Sequence, residues 1–73
     1  MPVITVVGSK VTEEVKNALI EQLTSVASSV MGTPKQFFTV VIDEKPDTNI
    51  GLGGESVADL KARLKKQAES AGE

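Results

Sequence analysis

The sequence predicts an α/β (α+β) fold in which a βαβ unit with two parallel strands is followed by a C-terminal helix. Three observations predict it. Residues 3–7 and 37–42 are rich in β-branched and aromatic residues, as strands are. Residues 12–31 carry apolar residues at helical spacing, and a second helical stripe begins at Val57. Two strands joined through such a helix run parallel, because the helix returns the chain to the end of the sheet at which the first strand began.

The long helix has a signal at each end. Thr12 supplies a hydroxyl that caps the first turn, and Glu13 and Glu14 favour the positive end of the helix dipole. Gly32 suits the left-handed conformation that ends many helices, and Pro34 prevents continuation. The apolar stripe consists of Val15, Ala18, Leu19, Leu23, Val26, Ala27, Val30 and Met31.

The second half of the chain is less regular. The second strand is closed by the charged, proline-containing segment 43–47. The segment Ile50–Gly54 is too rich in glycine for regular structure. Val57, Leu60 and Leu64 then predict the C-terminal helix, whose other positions are mostly charged. We expect residues 1–73 to form one domain.

Self-association is the expected source of stability. A chain of 73 residues without cysteine has a small core and no disulfide to support it. One long helix cannot cover both faces and both edges of a two-stranded sheet, and exposed apolar strands invite pairing with another copy. We therefore expect a homo-oligomer with a dimer as its building block, in which the sheet is completed between subunits.

The composition excludes several function classes. Histidine and cysteine are absent, which rules out a Ser-His-Asp triad and metal sites built on imidazole or thiolate. A net charge of −2 and only two aromatic residues argue against nucleic-acid binding. No apolar run approaches the roughly 20 residues of a membrane span, and residues 1–7 lack the features of a signal peptide. We expect a cytoplasmic protein with no membrane contact.

Pro2 is the first candidate for chemistry. Proline is small enough that methionine aminopeptidase normally removes a preceding initiator methionine, which would expose a secondary amine. An α-amino group has a reference pKa of about 8, and burial or a nearby cation lowers it towards working pH. Such an amine can act as a general base on small carbonyl compounds. The alternative is structural: Pro2 begins an edge strand, where a missing N–H costs nothing.

Lys10 is the second candidate, because it follows the first strand directly. In one chain, Pro2 and Lys10 are separated by a strand of roughly 20 Å. If first strands pair antiparallel between subunits, Lys10 of one copy approaches Pro2 of the other. The alternative is a solvated lysine in a turn.

Three other features have ordinary structural explanations. Gly51–Gly54 lacks the Lys-Ser/Thr that follows in a phosphate loop, and a tight turn explains it. Asp43 and Glu44, together with Asp47, can do acid–base work as paired carboxylates, but a hydrated turn is the simpler interpretation. The cations of the C-terminal helix fit a solvated face; they are Lys61, Arg63, Lys65 and Lys66.

Taken in order, these features resemble the 4-oxalocrotonate tautomerase family of the tautomerase superfamily. The resemblance covers roughly residues 2–56 and depends on the order and spacing of its segments. Those segments are Met1–Val6, Lys16–Ile20, Pro34, Val40–Glu44 and Ile50–Gly54.

The resemblance implies a βαβ subunit that dimerises into a four-stranded sheet, with three dimers in a hexamer. Trimers and dimers of other kinds also occur in the superfamily. It implies that Pro2, after removal of Met1, is the catalytic base. In the family this residue moves a proton between the enol oxygen and a distal carbon of a conjugated 2-oxo acid, without cofactor or metal.

The resemblance also implies three substrate-binding positions. Thr39 stands where the family has an arginine on the second strand, and it can donate a hydrogen bond but carries no charge. A second family arginine falls at or beside Lys10, which retains the charge. Ile50 replaces a phenylalanine before the glycine run and remains apolar. These replacements predict weak tautomerase activity or an altered substrate.

The leading hypothesis is therefore an isomerase acting on small unsaturated 2-oxo acids, with Pro2 as base and Lys10, Thr39 and Ile50 around the substrate. A dehalogenase or decarboxylase that uses the same amine is a variant within the superfamily. A non-catalytic oligomeric binding module is the rival from another class, in which Pro2 only begins a strand.

Overall fold

The structure, a computed structural model, describes residues 1–71. It contains four strands and two α-helices, in the order β1 (Val3–Gly8), α1 (Glu13–Met31), β2 (Thr39–Glu44), β3 (Gly51–Leu52), β4 (Glu55–Ser56) and α2 (Val57–Ala71). Short 3₁₀ turns precede β2 at Lys35–Phe37 and β3 at Asp47–Asn49.

The two long strands form a parallel pair. Val3 of β1 stands opposite Thr39 of β2, and the register continues without a break to Gly8 and Glu44. Because α1 connects the strands, residues 3–44 form the predicted βαβ unit, and α2 is the predicted C-terminal helix. The fold class expected from the sequence is confirmed.

The helix signals of the sequence operate as predicted. The Thr12 hydroxyl accepts a hydrogen bond of 3.2 Å from the backbone N–H of Val15, at the start of α1. Gly32 has a φ of 65°, and its N–H donates to the carbonyl of Ser28. These bonds pair backbone groups that the ends of a helix otherwise leave free.

Two expectations about the strands are wrong. Phe37 and Phe38 precede β2, because the chain leaving Pro34 first makes a 3₁₀ turn in which Phe37 donates to the Pro34 carbonyl at 3.1 Å. Nor is the glycine-rich segment irregular, since β3 and β4 pair antiparallel across Gly53 and Gly54. Both glycines have positive φ, 63° and 89°, as a two-residue hairpin turn requires.

The sheet has one half-buried face and one open face. Ile4, Val6, Val40 and Ile42 are half-buried, and α1 packs against β2. On the other face Val3 and Val7 are 63% and 61% exposed. No described side chain of the single copy is buried.

The described chain is extended, with dimensions of 52 × 25 × 21 Å and a radius of gyration of 16.9 Å. A compact chain of this length has a radius of gyration of about 11 Å. Its accessible surface is 5576 Å², against about 4,300 Å² for a compact monomer of this mass. Neither described helix combines the length and the apolar character needed to cross a membrane.

Candidate active site

Pro2 and Thr39 lie together at one end of the parallel sheet. The N–H of Thr39 donates a hydrogen bond of 3.1 Å to the carbonyl of Pro2, one residue before the Val3–Thr39 pair. Pro2 is half-buried and Thr39 is exposed. We call this end, formed by Pro2, Thr39 and the 3₁₀ turn at Lys35–Phe37, the proline end.

Lys10 lies at the opposite end of the sheet. It follows the last residue of β1, Gly8, by two positions and is exposed to solvent. A strand rises about 3.3 Å per residue, so the six residues of β1 place Lys10 roughly 20 Å from Pro2. A single copy therefore does not bring the predicted base and the predicted cation together.

Beside Lys10, the end of β2 is tied to the start of α1 by one carboxylate. Glu44 accepts a hydrogen bond of 2.8 Å from the N–H of Val11 and forms an ion pair of 2.7 Å with the ammonium of Lys16. The hydrogen bond from Lys16 is the main cause that lowers the pKa of Glu44, followed by the Val11 N–H; the same contact raises the pKa of Lys16. Because both Glu44 oxygens have partners, its position indicates a structural role.

Ile50 is half-buried and belongs to the segment that leads from β2 into the hairpin. Its N–H donates to the Asp47 carbonyl at 3.4 Å, and its carbonyl accepts from the N–H of Val57 at 2.7 Å. The Ser9 hydroxyl, and then the Lys61 ammonium, lower the pKa of Asp47. The N–H of Lys45, which follows β2 directly, donates to the carbonyl of Gly8 at 2.8 Å, so the segment that leads to Ile50 starts at the Lys10 end of the sheet.

The four predicted site residues thus form two groups in one copy. Pro2 and Thr39 are adjacent at the proline end, whereas Lys10 and the segment of Ile50 are associated with the other end. The part of the single chain that the structure describes encloses no cavity. Within residues 1–71, no three acidic side chains cluster closely enough to share a metal ion.

Sequence reasoning missed two cations. Lys16 was not expected to pair with Glu44, although both flank the ends of elements that the βαβ topology brings together. Lys35 received no role, although its place between Pro34 and β2 puts it at the same end as Pro2. In both cases the βαβ topology was the available clue. A charged residue at the end of one helix or strand lies beside the residues that begin or end a neighbouring element at the same end of the sheet.

Comparison with known proteins supplies the family. A family model described as "Tautomerase enzyme" matches residues 2–60, which include β1, α1, β2 and the hairpin. The chain belongs to the tautomerase family. The match begins at Pro2 and ends within the first turn of α2, so most of α2 lies beyond it.

Similar proteins carry related names. A "Probable tautomerase" of Helicobacter pylori is 40% identical over 52 residues, which are 71% of this chain and 76% of that protein. TomN, a 4-oxalocrotonate tautomerase homologue in the tomaymycin biosynthetic pathway, has 34% identity and a TM-score of 0.80 over 84% of this chain and 95% of its own. The R7 fused 4-OT, an asymmetric trimer, has 32% identity and a TM-score of 0.72 over 81% of this chain and 47% of its own.

Proposed function

We propose that this tautomerase-family chain is an isomerase that converts the enol form of small unsaturated 2-oxo acids into the keto form. In this proposal Met1 is removed and the nitrogen of Pro2 is the general base. The nitrogen takes the proton of the enol hydroxyl, the electron pair of that O–H bond forms the carbonyl, and a distal carbon of the conjugated system takes the proton back.

The position of Pro2 is the observation that carries the proposal. Its carbonyl is fixed by the Thr39 N–H at 3.1 Å, and proline has no free rotation about φ, so the ring is held at the edge of the sheet. A base whose position is fixed before the substrate arrives needs little reorganisation during proton transfer. The exposed Thr39 hydroxyl beside it is available to donate a hydrogen bond to a substrate oxygen.

We further propose that the site is completed by a second copy. Lys10 is roughly 20 Å from Pro2 in one chain. If the β1 strands of two copies run antiparallel beside each other, Lys10 of one copy lies close to Pro2 of the other. The Lys10 ammonium of one copy then binds the substrate carboxylate at the proline end of the other, and Ile50 contributes an apolar wall. The exposed valines of the sheet and the extended shape of the described chain support an assembly of several copies, for which the hexamer of the resemblance is our proposal.

Ketonisation of 2-hydroxymuconate and of phenylenolpyruvate, followed by absorbance, tests this function. We expect the processed protein to accelerate at least one of them and the Pro2→Ala variant to lose roughly 100-fold or more in kcat, the usual contribution of a positioned base. Equal rates for the two proteins reject the proline mechanism. Retention of Met1 in protein purified from its native cell, seen as an unchanged intact mass, supports the binding module instead.

A further inference from the structure

Lys35 lies at the proline end of the sheet. It begins the 3₁₀ turn Lys35–Phe37, and its carbonyl accepts a hydrogen bond of 3.0 Å from the N–H of Phe38, the residue before β2. Since a 3₁₀ helix rises about 2 Å per residue, the Cα of Lys35 lies within about 10 Å of that of Thr39. The N–H of Thr39 in turn donates to the carbonyl of Pro2, so Lys35 and Pro2 both lie at the proline end of the same copy.

The other cations that precede the hairpin lie elsewhere or are neutralised. Lys10 follows β1 at the opposite end, Lys16 pairs with Glu44, and Lys45 pairs with Asp43 at 3.3 Å. Lys35 is exposed, and it has no carboxylate within ion-pairing distance among the residues that the structure describes. Its charge is therefore available to a ligand.

The proline end also lacks acidic side chains of its own. Residues 32–42 contain no Asp or Glu, and the last turn of α1, which leads into this segment, is Ser28–Met31 and carries no charge. The nearest acid along α1 is Glu21, ten residues and about 15 Å of helix before Met31. The carboxylates at the end of β2 are at the other end of the sheet. An anion that reaches Pro2 thus meets a cation and no competing acid within this segment.

We propose that Lys35 is a substrate-binding residue supplied by the same copy as Pro2, and that its ammonium binds a carboxylate of the oxo acid. This inference rests on the proposed function. It adds a positive charge that is present at the proline end without any contribution from a second copy. It also compensates for the absence of charge at Thr39, which offers only a hydroxyl.

The test compares two alkylating probes that differ in one carboxylate, 3-bromopyruvate and bromoacetone. Each forms a bond between the free Pro2 nitrogen and the carbon that carries bromine, with release of bromide and a proton, and the labelled residue is located by mass spectrometry. We expect Lys35→Gln to slow labelling by bromopyruvate roughly tenfold, because a charge-assisted hydrogen bond is lost. Labelling by bromoacetone stays unchanged, because that probe has no carboxylate. The ratio of the two rates separates carboxylate binding from effects on the amine or on folding.

Two further variants complete the test. Lys35→Arg keeps the charge and should restore bromopyruvate labelling, and Lys66→Gln removes an exposed cation of α2 and should leave both rates unchanged. Equal effects of Lys35→Gln on both probes, or no effect on either, overturn the role of Lys35 and leave the proposed function standing. Absence of Pro2 labelling in the unsubstituted, processed protein overturns both proposals.

Discussion

Glu44 shows how one side chain can fix the geometry of the βαβ unit. Its two carboxylate oxygens bind the Val11 N–H and the Lys16 ammonium, so the end of β2 is tied to the start of α1. Glu44 and Lys16 remain 26% and 30% exposed, and solvent therefore weakens their attraction. The charge–charge part is modest, and the hydrogen bond to the backbone contributes independently of it.

The contacts of the Glu44 carboxylate should make the stability of the folded protein depend on pH. The pKa of Glu44 is lowered by folding, so its contribution is present above the unfolded pKa, about 4.3, and is lost as pH falls through the folded value. Glu44→Gln keeps an acceptor for Val11 and removes the charge. We expect it to lower the urea midpoint at pH 7, with the difference from the unsubstituted protein closing as the pH falls below about 4.

Glu21→Gln is the matched control for this experiment. Glu21 is exposed on α1 and forms no ion pair within the described chain, so Glu21→Gln should have the same urea midpoint as the unsubstituted protein at each pH between about 3 and 7. A constant difference between Glu44→Gln and the unsubstituted protein over that range would contradict the role assigned to the Glu44 charge.

At the residue scale, the sequence supplied candidate side chains, and the folded chain shows where each of them lies. Pro2 was identified because an N-terminal secondary amine is rare chemistry. Thr39, the first residue of β2, was identified because the resemblance places it where the family has an arginine. Lys35 was missed, since an isolated lysine in a turn has no pattern of its own. Its proposed role depends on the neighbouring strand, which only the folded chain places beside it.

The hairpin is the element that changed most between prediction and structure. Each of its strands has two residues, Gly51–Leu52 and Glu55–Ser56, which is too short to display the alternation by which strands are recognised. Its signal was the turn itself, because a Gly-Gly pair can adopt positive φ at both central positions. By contrast, the caps of α1 were predictable because capping depends on single residue types.

Replacement of Gly54 tests the turn. Its φ of 89° disfavours any L side chain, so Gly54→Ala should destabilise the protein by about 1–2 kcal/mol, measured as the change in free energy of unfolding. Gly8→Ala is the control, because Gly8 has no positive φ and a Cβ there meets nothing within 4 Å. Equal stabilities of the two variants would show that the hairpin turn does not require glycine.

The phenylalanine pair illustrates a limit of reasoning by composition. Phe37 and Phe38 precede Thr39 in an uninterrupted run of strand-forming residues, and the run was extended over them. In the structure a 3₁₀ turn forms there instead of a strand, because the backbone N–H groups of Phe37 and Phe38 donate to the carbonyls of Pro34 and Lys35. That turn also fixes the entry of the chain into β2, and with it the position of the proline end.

For the whole molecule, the single copy leaves much apolar surface in water. Val3 and Val7 are more than half exposed on the open sheet face, and Val41 is 43% exposed beside them. An open apolar face of this kind is typical of an interaction surface. We infer that this face is covered in the assembled protein, and that folding and association are linked.

Association should therefore control stability. We expect the urea midpoint of unfolding to rise with protein concentration, because the assembled state is favoured by mass action. Val7→Lys should weaken association roughly 10-fold or more, because it removes a valine whose burial contributes about 1.5–3 kcal/mol and adds a charge. Urea denaturation at several protein concentrations measures the first effect, and sedimentation equilibrium measures the second.

Gln22→Lys is the control for added charge, since Gln22 is an exposed polar residue of α1. It should leave association unchanged. A midpoint that does not depend on concentration, together with a monomeric mass for the unsubstituted protein, would contradict the proposed assembly.

The proposed site between two copies is the part that a single sequence predicts least. The separation of Pro2 and Lys10 was predictable because β1 lies between them, and in the structure β1 has six residues, which span roughly 20 Å. Their approach depends on how two copies meet, which is governed by surface complementarity over many residues. If two copies build the site together, as proposed, only a measurement between chains can show it.

Subunit mixing tests that claim most directly. Pro2→Ala and Lys10→Ala proteins are each purified, unfolded together in equal amounts, refolded and assayed for ketonisation. If each site takes Pro2 from one copy and Lys10 from another, random pairing restores about a quarter of the sites, and activity recovers well above that of either variant alone. Activity of the mixture that equals the average of the two separate variants would contradict a site built from two copies.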